Sequence, residues 1–351
     1  MGKILIKNGK VWDGEKFYFA NVLTDNGIIH SISPDINEDA EYTYDAYGKI
    51  VSVGLVDAHV HMRGLNKSFG IQAELSCIPF GVTSAADACG ACGDKALLDS
   101  FMVKNVVFVP VEIRNNKACF ETVEKKLEDY GEKASGLKVY FDAKQPEIKD
   151  IKPLCEVVEY AEKNNLIVMV HCSNSPVPMQ EIFDTLRKDD ILTHAYHGGN
   201  NNVSVDNFEC IKIAQSRGVI IDAGFAGHIH TDFRVFEDAV KCGAVPDVIS
   251  TDITRFSAYK RGGRYGMTMC MSVAREVGMS EENIFRAVTS TPARVLGVEA
   301  GRLFEGCVAD LCVIGVGESF SLTDKEGNTV QSDNGYKCLL TVKNGQILYR
   351  Y

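Results

Sequence analysis

The chain has 351 residues, 45% apolar and 24% charged, with a formal net charge of −10. That length is enough to bury a sizeable core, in one large domain with an appendage or in two domains, and the composition is ordinary for a soluble globular protein. The negative balance argues against a nucleic-acid partner or an anionic membrane surface, and no apolar run approaches a membrane-spanning length.

Met1-Gly2-Lys3-Ile4 opens directly into a strand-like pattern, without the apolar region of a signal peptide. Twelve cysteines are scattered through mostly apolar surroundings. A reducing cytoplasm, with the cysteines as small core residues, is the simplest setting. Cys89-Gly90-Ala91-Cys92 has C-x-x-C spacing, but no second pair completes a zinc ribbon.

Residues 1–50 read as short strands joined by turns. Ile4-Leu5-Ile6 precedes Asn8-Gly9 and Val11-Trp12. Ala20 to Leu23 precedes Asp25-Asn26-Gly27 and then Ile28 to Ile32. Apolar runs flanking Asn-Gly are hairpin signatures. The end of the chain reads alike: Ala309 to Ile314, Leu339 to Val342, Asn344-Gly345 and Ile347 to Tyr349. Chain termini often lie close together, so residues 1–50 and 300–351 are expected to form one small β-sandwich-like domain.

Between them, in residues 51–299, apolar strand-like runs alternate with helical ones. The strands are Ile50–Val56, Gly81–Ala86, Val106–Val111, Gly136–Phe141, Leu166–Val170, Ile191–Thr193, Gly218–Ala223 and Asp247–Ser250. Helical periodicity covers Ala118–Tyr130, Ile151–Asn164, Val203–Arg217 and Asp232–Cys242. Near-continuously apolar strands that alternate with helices imply a parallel sheet covered by helices. Eight such units in this length predict an α/β fold of the (β/α)8 TIM-barrel type. A doubly wound open sheet is the alternative, although no G-x-G-x-x-G follows the first strand.

Barrel enzymes carry their chemistry at the C-terminal ends of the strands. The first run ends in His59-Val60-His61, whose alternating side chains share a face roughly 7 Å apart. Lys138 lies in the fourth strand. His171, His194 and Asp252 follow the fifth, sixth and eighth. Imidazoles and a carboxylate on one rim are the donor set of a first-row metal site. An ammonium is only a donor, so Lys138 needs a different account. Buried near metal ions, its amine would be partly neutral and able to react with CO₂ to give a carbamate with two ligating oxygens. The simpler account is a lysine whose head reaches solvent or pairs with a carboxylate.

His59-x-His61, Lys138, His171, His194 and Asp252, in that order, resemble the amidohydrolase superfamily of metal-dependent barrel hydrolases. Several stretches are similar to its dihydroorotase-like amidohydrolase/deacetylase branch: Gly54 to His61, Gly81-Val82-Thr83, Gly136 to Val139, Asp190 to His194, Pro246 to Asp252, and the tail from Val288 to Leu311. The resemblance implies two divalent ions, most often zinc. His59, His61 and Asp252 would hold one, and His171 and His194 the other. An N6-carboxylated Lys138 and a hydroxide would bridge them. Asp252 would move the proton from the hydroxide to the leaving group.

Arg63, two residues past His61, matches a His-x-His-x-Arg pattern and could grip a substrate carboxylate. His197 is a candidate substrate contact where relatives commonly carry Asn. The segment Gly224 to His230 departs from an expected Gly-His-Gly pattern, and its His228-x-His230 reads as active-site lining, with His230 as a substrate contact. The reading these residues favour is hydrolysis of an amide or ester in a small, carboxylate-bearing molecule, in the manner of a deacetylase. A cyclic-amide hydrolase of the dihydroorotase or hydantoinase kind is the alternative. A mononuclear deaminase would leave Lys138 without a role, and a catalytically silent binding scaffold would not need every ligand. The expected partner is a small-molecule substrate. Barrels of this kind are often homo-oligomers, but no interface is legible in the sequence.

Overall fold

The computed structural model describes residues 2–63, 69–89, 95–227, 229–260 and 264–351. Its secondary structure falls into two sheets. The first gathers both ends of the chain in the order Gln346–Arg350, Thr329–Lys343, Leu311–Thr323, Ile50–Val53, Ile4–Trp12, Phe17–Asp25 and Ile28–Ser33, with Tyr42–Asp45 paired to Ile4–Trp12. The join between the two ends is the antiparallel pairing of Leu311–Ile314 with Ile50–Val53.

Two of the Asn-Gly pairs make the expected turns. Asn26-Gly27 and Asn344-Gly345 both have positive φ at each residue, which a type I′ hairpin requires. Asn8-Gly9 behaves differently. Ile4–Trp12 is one continuous strand, and its register against Phe17–Asp25 shifts between Ile6 and Gly9. Asn8 sits in the left-handed region as a bulge, its amide donating to Asn21 Oδ1. The reversal comes later, where Asp13 Oδ1 accepts from the amides of Glu15 and Lys16.

The second sheet is parallel and curled. Leu55–Val60, Val82–Asp87, Lys104–Arg114, Ala134–Tyr140, Ile167–His171, Ile191–Thr193 and Ile220–Asp222 follow one another in sequence order. An irregular eighth segment runs beside the last strand through a bridge from Asp222 to Val248 and returns to the first through a bridge from Val60 to Ile253. The chain is therefore a TIM barrel with a separate, largely antiparallel sheet built from its termini, in which Ile4–Trp12 runs parallel to Ile50–Val53 and Tyr42–Asp45. The expected run Ile50–Val56 is divided at Gly54: its first half belongs to the terminal sheet and its second half opens the barrel. A Cβ on Gly54 would lie 2.1 Å from Thr83 Oγ1, so glycine is needed where the chain passes between the sheets.

Val56, Ala58, Ala86, Phe108, Met169, Ile191, Ile220 and Val248 fill the barrel interior and pack on Ala293 and Leu296 of the helix Ser290–Leu296. Small residues on the first two strands leave room for Phe108 and Met169 in this buried cluster. The sole tryptophan, Trp12, is fully buried and donates from Nε1 to Thr289 Oγ1 at 2.9 Å, fastening the terminal sheet to the barrel. Helices Lys152–Lys163 and Phe233–Lys241 form as their periodicity predicts, the latter capped by Asp232. The other two are shorter than their patterns. Lys117–Cys119 pairs as a strand with Glu112–Arg114, delaying the helix to Val123–Tyr130, and residues 203–208 turn before the helix Glu209–Ser216. Cys77, Cys172, Cys210, Cys270, Cys312 and Cys338 are buried, whereas Cys155 is exposed. Among the described residues, no helix is long and apolar enough to cross a membrane.

Candidate metal centre

At the C-terminal ends of the parallel strands lies a cavity of about 710 Å³, lined in part by His59, His61, Lys138, His171, His230 and Asp252. Strand pleating aims His59 and His61 at one spot, their ring centroids 5.4 Å apart. His61 Nε2 and His59 Nε2 lie 2.8 and 3.3 Å from Asp252 Oδ1. Lys138 Nζ is 3.4 Å from His59 Nε2. His194 is fully buried behind the cavity wall, its centroid 5.2 Å from that of His59 and 4.5 Å from that of His171. His194 and Asp252 both have positive φ, 65° and 45°, which non-glycine residues rarely adopt. Such backbone persists where the surroundings over-determine it, and here it follows strands that deliver polar side chains to the rim.

The donors are close enough to share ions. His59, His194 and Asp252 each offer a ligand atom within 4.8 Å of the others, and so do His171, His194 and His230. His171 Nε2, His194 Nε2 and His230 Nδ1 are buried and have no hydrogen-bond partner among the described residues. Leaving such an atom unsatisfied costs roughly 1–3 kcal/mol. Imidazoles converging on a carboxylate are what a divalent first-row ion takes, so the residues present fit a metal.

Burial pushes His59 down to about 4, and the Lys138 ammonium adds to the effect. Burial likewise holds His171 and His194 well below the ordinary imidazole value, with neighbouring histidines acting the same way. His230 is pushed down to about 4 by burial, against the pull of Asp252. Neutral imidazoles keep the lone pair that a metal ion binds. His61 goes the other way: burial opposes its charge, but hydrogen bonds to Asp252 and Cys89 prevail and raise it to about 10. Asp252 is held well below the usual carboxylate range, because His59 and His61 outweigh the cost of its burial. Burial brings Lys138 down to about 8, even though Asp252 favours its charged form.

Residues not singled out in the sequence hold this set in place. Asp57, two positions before His59, accepts from His59 N, Thr251 N and Thr251 Oγ1 at 3.2, 3.1 and 2.6 Å. The i−2 spacing was a usable signal. His59 Nδ1 lies 3.0 Å from Thr193 Oγ1, and His194 Nδ1 lies 2.6 Å from Gly224 O, leaving the Nε2 atoms to face the centre. Asp142 accepts from Ser173 N and Oγ, and Tyr140 stacks on His171 with centroids 4.1 Å apart. Cys89 Sγ is 3.2 Å from His61 Nδ1, and with Asp87 these form a third group with metal-ligand spacing. Only the fold brings Cys89 there.

The candidate substrate contacts separate. His230 lines the cavity. Arg63 turns its guanidinium to Met62 O at 3.2 Å, and among the described residues Arg114 is the arginine that lines the cavity. His197 is fully buried, accepts from Gly199 N at 3.1 Å through Nδ1, and is not among the residues lining the cavity. His228 and Cys92 lie outside the described residues.

Known proteins share this sequence pattern. The model of the amidohydrolase family matches residues 50–348. A deacetylase of Enterococcus faecalis is 27% identical over 368 aligned residues, covering 98% of this chain and 98% of that protein. A dihydroorotase of Clostridium botulinum is 24% identical, covering 99% of this chain and 100% of that protein. A crystal structure of a dihydroorotase superposes with a TM-score of 0.87 at 21% identity, over 100% of this chain and 99% of the other, a likeness of fold.

Proposed function

The chain belongs to the amidohydrolase family, in its dihydroorotase-like branch, and is a hydrolytic enzyme acting on C–N bonds; from that premise we propose a dinuclear metal-dependent deacetylase cleaving the amide or ester of a small carboxylate-bearing molecule. The observation that carries this reading is the convergence of His59, His61, His171 and Asp252 with a buried lysine on one cavity, with His194 packed behind them against His59 and His171. A mononuclear site would leave Lys138 without work.

His59, His61 and Asp252 would hold one ion, and His171 and His194 the second, with Lys138 as a carbamate between them. Bound ions would supply Lewis acidity, lowering the pKa of a water and polarising the scissile carbonyl. The chain's own residues do the rest. Asp252, ionised and turned toward the centre by His59 and His61, accepts a proton from the attacking water and returns it to the leaving nitrogen or oxygen. Asp57 and Thr193 keep His59 in one orientation. A substrate carboxylate calls for a guanidinium near the mouth. Arg114 lines the cavity and Arg63 follows His61 by two residues. Alanine at whichever grips the carboxylate raises KM with little change in kcat.

A cyclic-amide hydrolase is the second reading, supported by the full-length match to a dihydroorotase. The test is metal content with intact mass on gently purified protein, followed by turnover of N-acyl, O-acyl and cyclic-amide acids. Two metals per chain and an acid-labile added CO₂ are expected. One metal without added mass refutes the bridged site in favour of a mononuclear enzyme, and no metal after reconstitution leaves a binding scaffold. Preferred turnover of a cyclic amide moves the assignment to the second reading.

A further inference from the structure

We propose that the second ion is held by three imidazoles, with His230 completing the pair His171 and His194; this rests on the two-metal reading above. The three residues come from separate places in the chain. His171 ends the strand Ile167–His171, His194 follows Ile191–Thr193, and His230 lies beyond the end of Ile220–Asp222. One ligand atom from each lies within 4.8 Å of the other two. The His230 ring centroid is 4.2 Å from that of His194 and 4.9 Å from that of His171. Each ring keeps a buried nitrogen without a hydrogen-bond partner among the described residues.

The loop that carries His230 is fastened on both sides. Ala226 N donates to Thr251 O at 3.0 Å, Thr231 Oγ1 to Ala223 O at 3.1 Å, and Asp232 N to Tyr196 O at 3.0 Å. His230 is thereby presented to the cluster by backbone that is already held. Three imidazoles are a recurrent donor set of catalytic zinc; the Lys138 carbamate would be a fourth ligand, and water or substrate would enter by expansion to five-coordination. The two ions then differ in kind: one is held with the Asp252 carboxylate, whereas the other takes three imidazoles. A substrate contact at His230, expected from the sequence, makes the opposite prediction, with KM changed and metal affinity untouched.

The experiment titrates metal-free protein with Co²⁺, following visible d–d absorbance and counting bound metal by equilibrium dialysis, with circular dichroism to check folding. The wild type takes two Co²⁺ per chain. In His230→Ala one site keeps its affinity. The other weakens at least about tenfold, since even outer-shell partners are worth 10–100-fold. Free imidazole restores the lost affinity. His230→Gln, closer in size and polarity, weakens the same site and guards against a folding artefact. If either variant, folded like the wild type, takes both ions with wild-type affinity and absorbance, His230 is not a ligand and the two-metal reading stands. A wild type that takes a single Co²⁺ overturns the two-metal reading and this inference with it.

Discussion

The sharpest quantitative consequence of the site concerns how Lys138 would acquire its carbamate. Only the neutral amine attacks CO₂, and burial lowers the Lys138 pKa from 10.5 to about 8. At pH 7 roughly 10% of such an amine is neutral, against ~0.03% for an ordinary lysine, a gain of about 300-fold. The sign follows from the amine losing its charge as pH rises. Between pH 6 and pH 8 the neutral fraction climbs from ~1% to ~50%, and above pH 8 it can only double. Uptake of ¹³C-labelled CO₂ by the metal-free protein, at fixed dissolved CO₂, is read as the carbamate signal in ¹³C NMR with Lys138→Ala as the blank. Its initial rate should rise about fiftyfold from pH 6 to pH 8 and then level off. A rate still rising tenfold per pH unit above pH 8 would show that the lysine is not desolvated. Absence of any Lys138-dependent signal would refute the carbamate.

Asp252→Asn removes the proton carrier and should lower turnover by ~10²–10⁴-fold with folding intact; near-normal turnover would strip Asp252 of that role. Asp57→Ala leaves Thr251 Oγ1, Thr251 N and His59 N without their buried acceptor. Each orphaned group costs roughly 1–3 kcal/mol, so the denaturation midpoint should fall clearly, and an unchanged midpoint contradicts the tie between first strand and eighth segment. In the metal-free chain, the His61 proton is held by Asp252 with a raised pKa of about 10. Its stabilisation is complete below the unfolded value of 6.5 and is lost as pH rises through 10. The stability advantage of wild type over His61→Asn, measured by urea unfolding without metal, should therefore shrink between pH 7 and pH 10. A constant advantage would contradict the shift.

Much of this molecule could be read from local chemistry. Asn26-Gly27 and Asn344-Gly345 turn because their residues tolerate positive φ, whatever surrounds them. The apolar runs ending in His59-x-His61, His171, His194 and Asp252 announce parallel strands with polar rims, because a barrel buries its strands and exposes only their ends. Other features depend on partners distant in sequence. Asn8-Gly9 has the letters of a hairpin, yet pairing along Phe17–Asp25 keeps the strand running and turns it into a bulge. The run through Gly54 has one continuous hydrophobic pattern, and Thr83 beside that glycine marks where it passes from one sheet to the other. Residues 247–253 are held by two isolated bridges and by Asp57, which no pattern within the segment foretells. The sequence by itself determined seven of the barrel strands and the polar residues they carry to their ends, since both follow from periodicities of a few residues. Tertiary structure alone decided that Cys89 reaches His61, that Arg114 lines the cavity while Arg63 turns to the Met62 carbonyl, and that His230 lies beside His171 and His194. Those outcomes rest on loops after the strands, whose course is set by contacts between segments far apart in the chain.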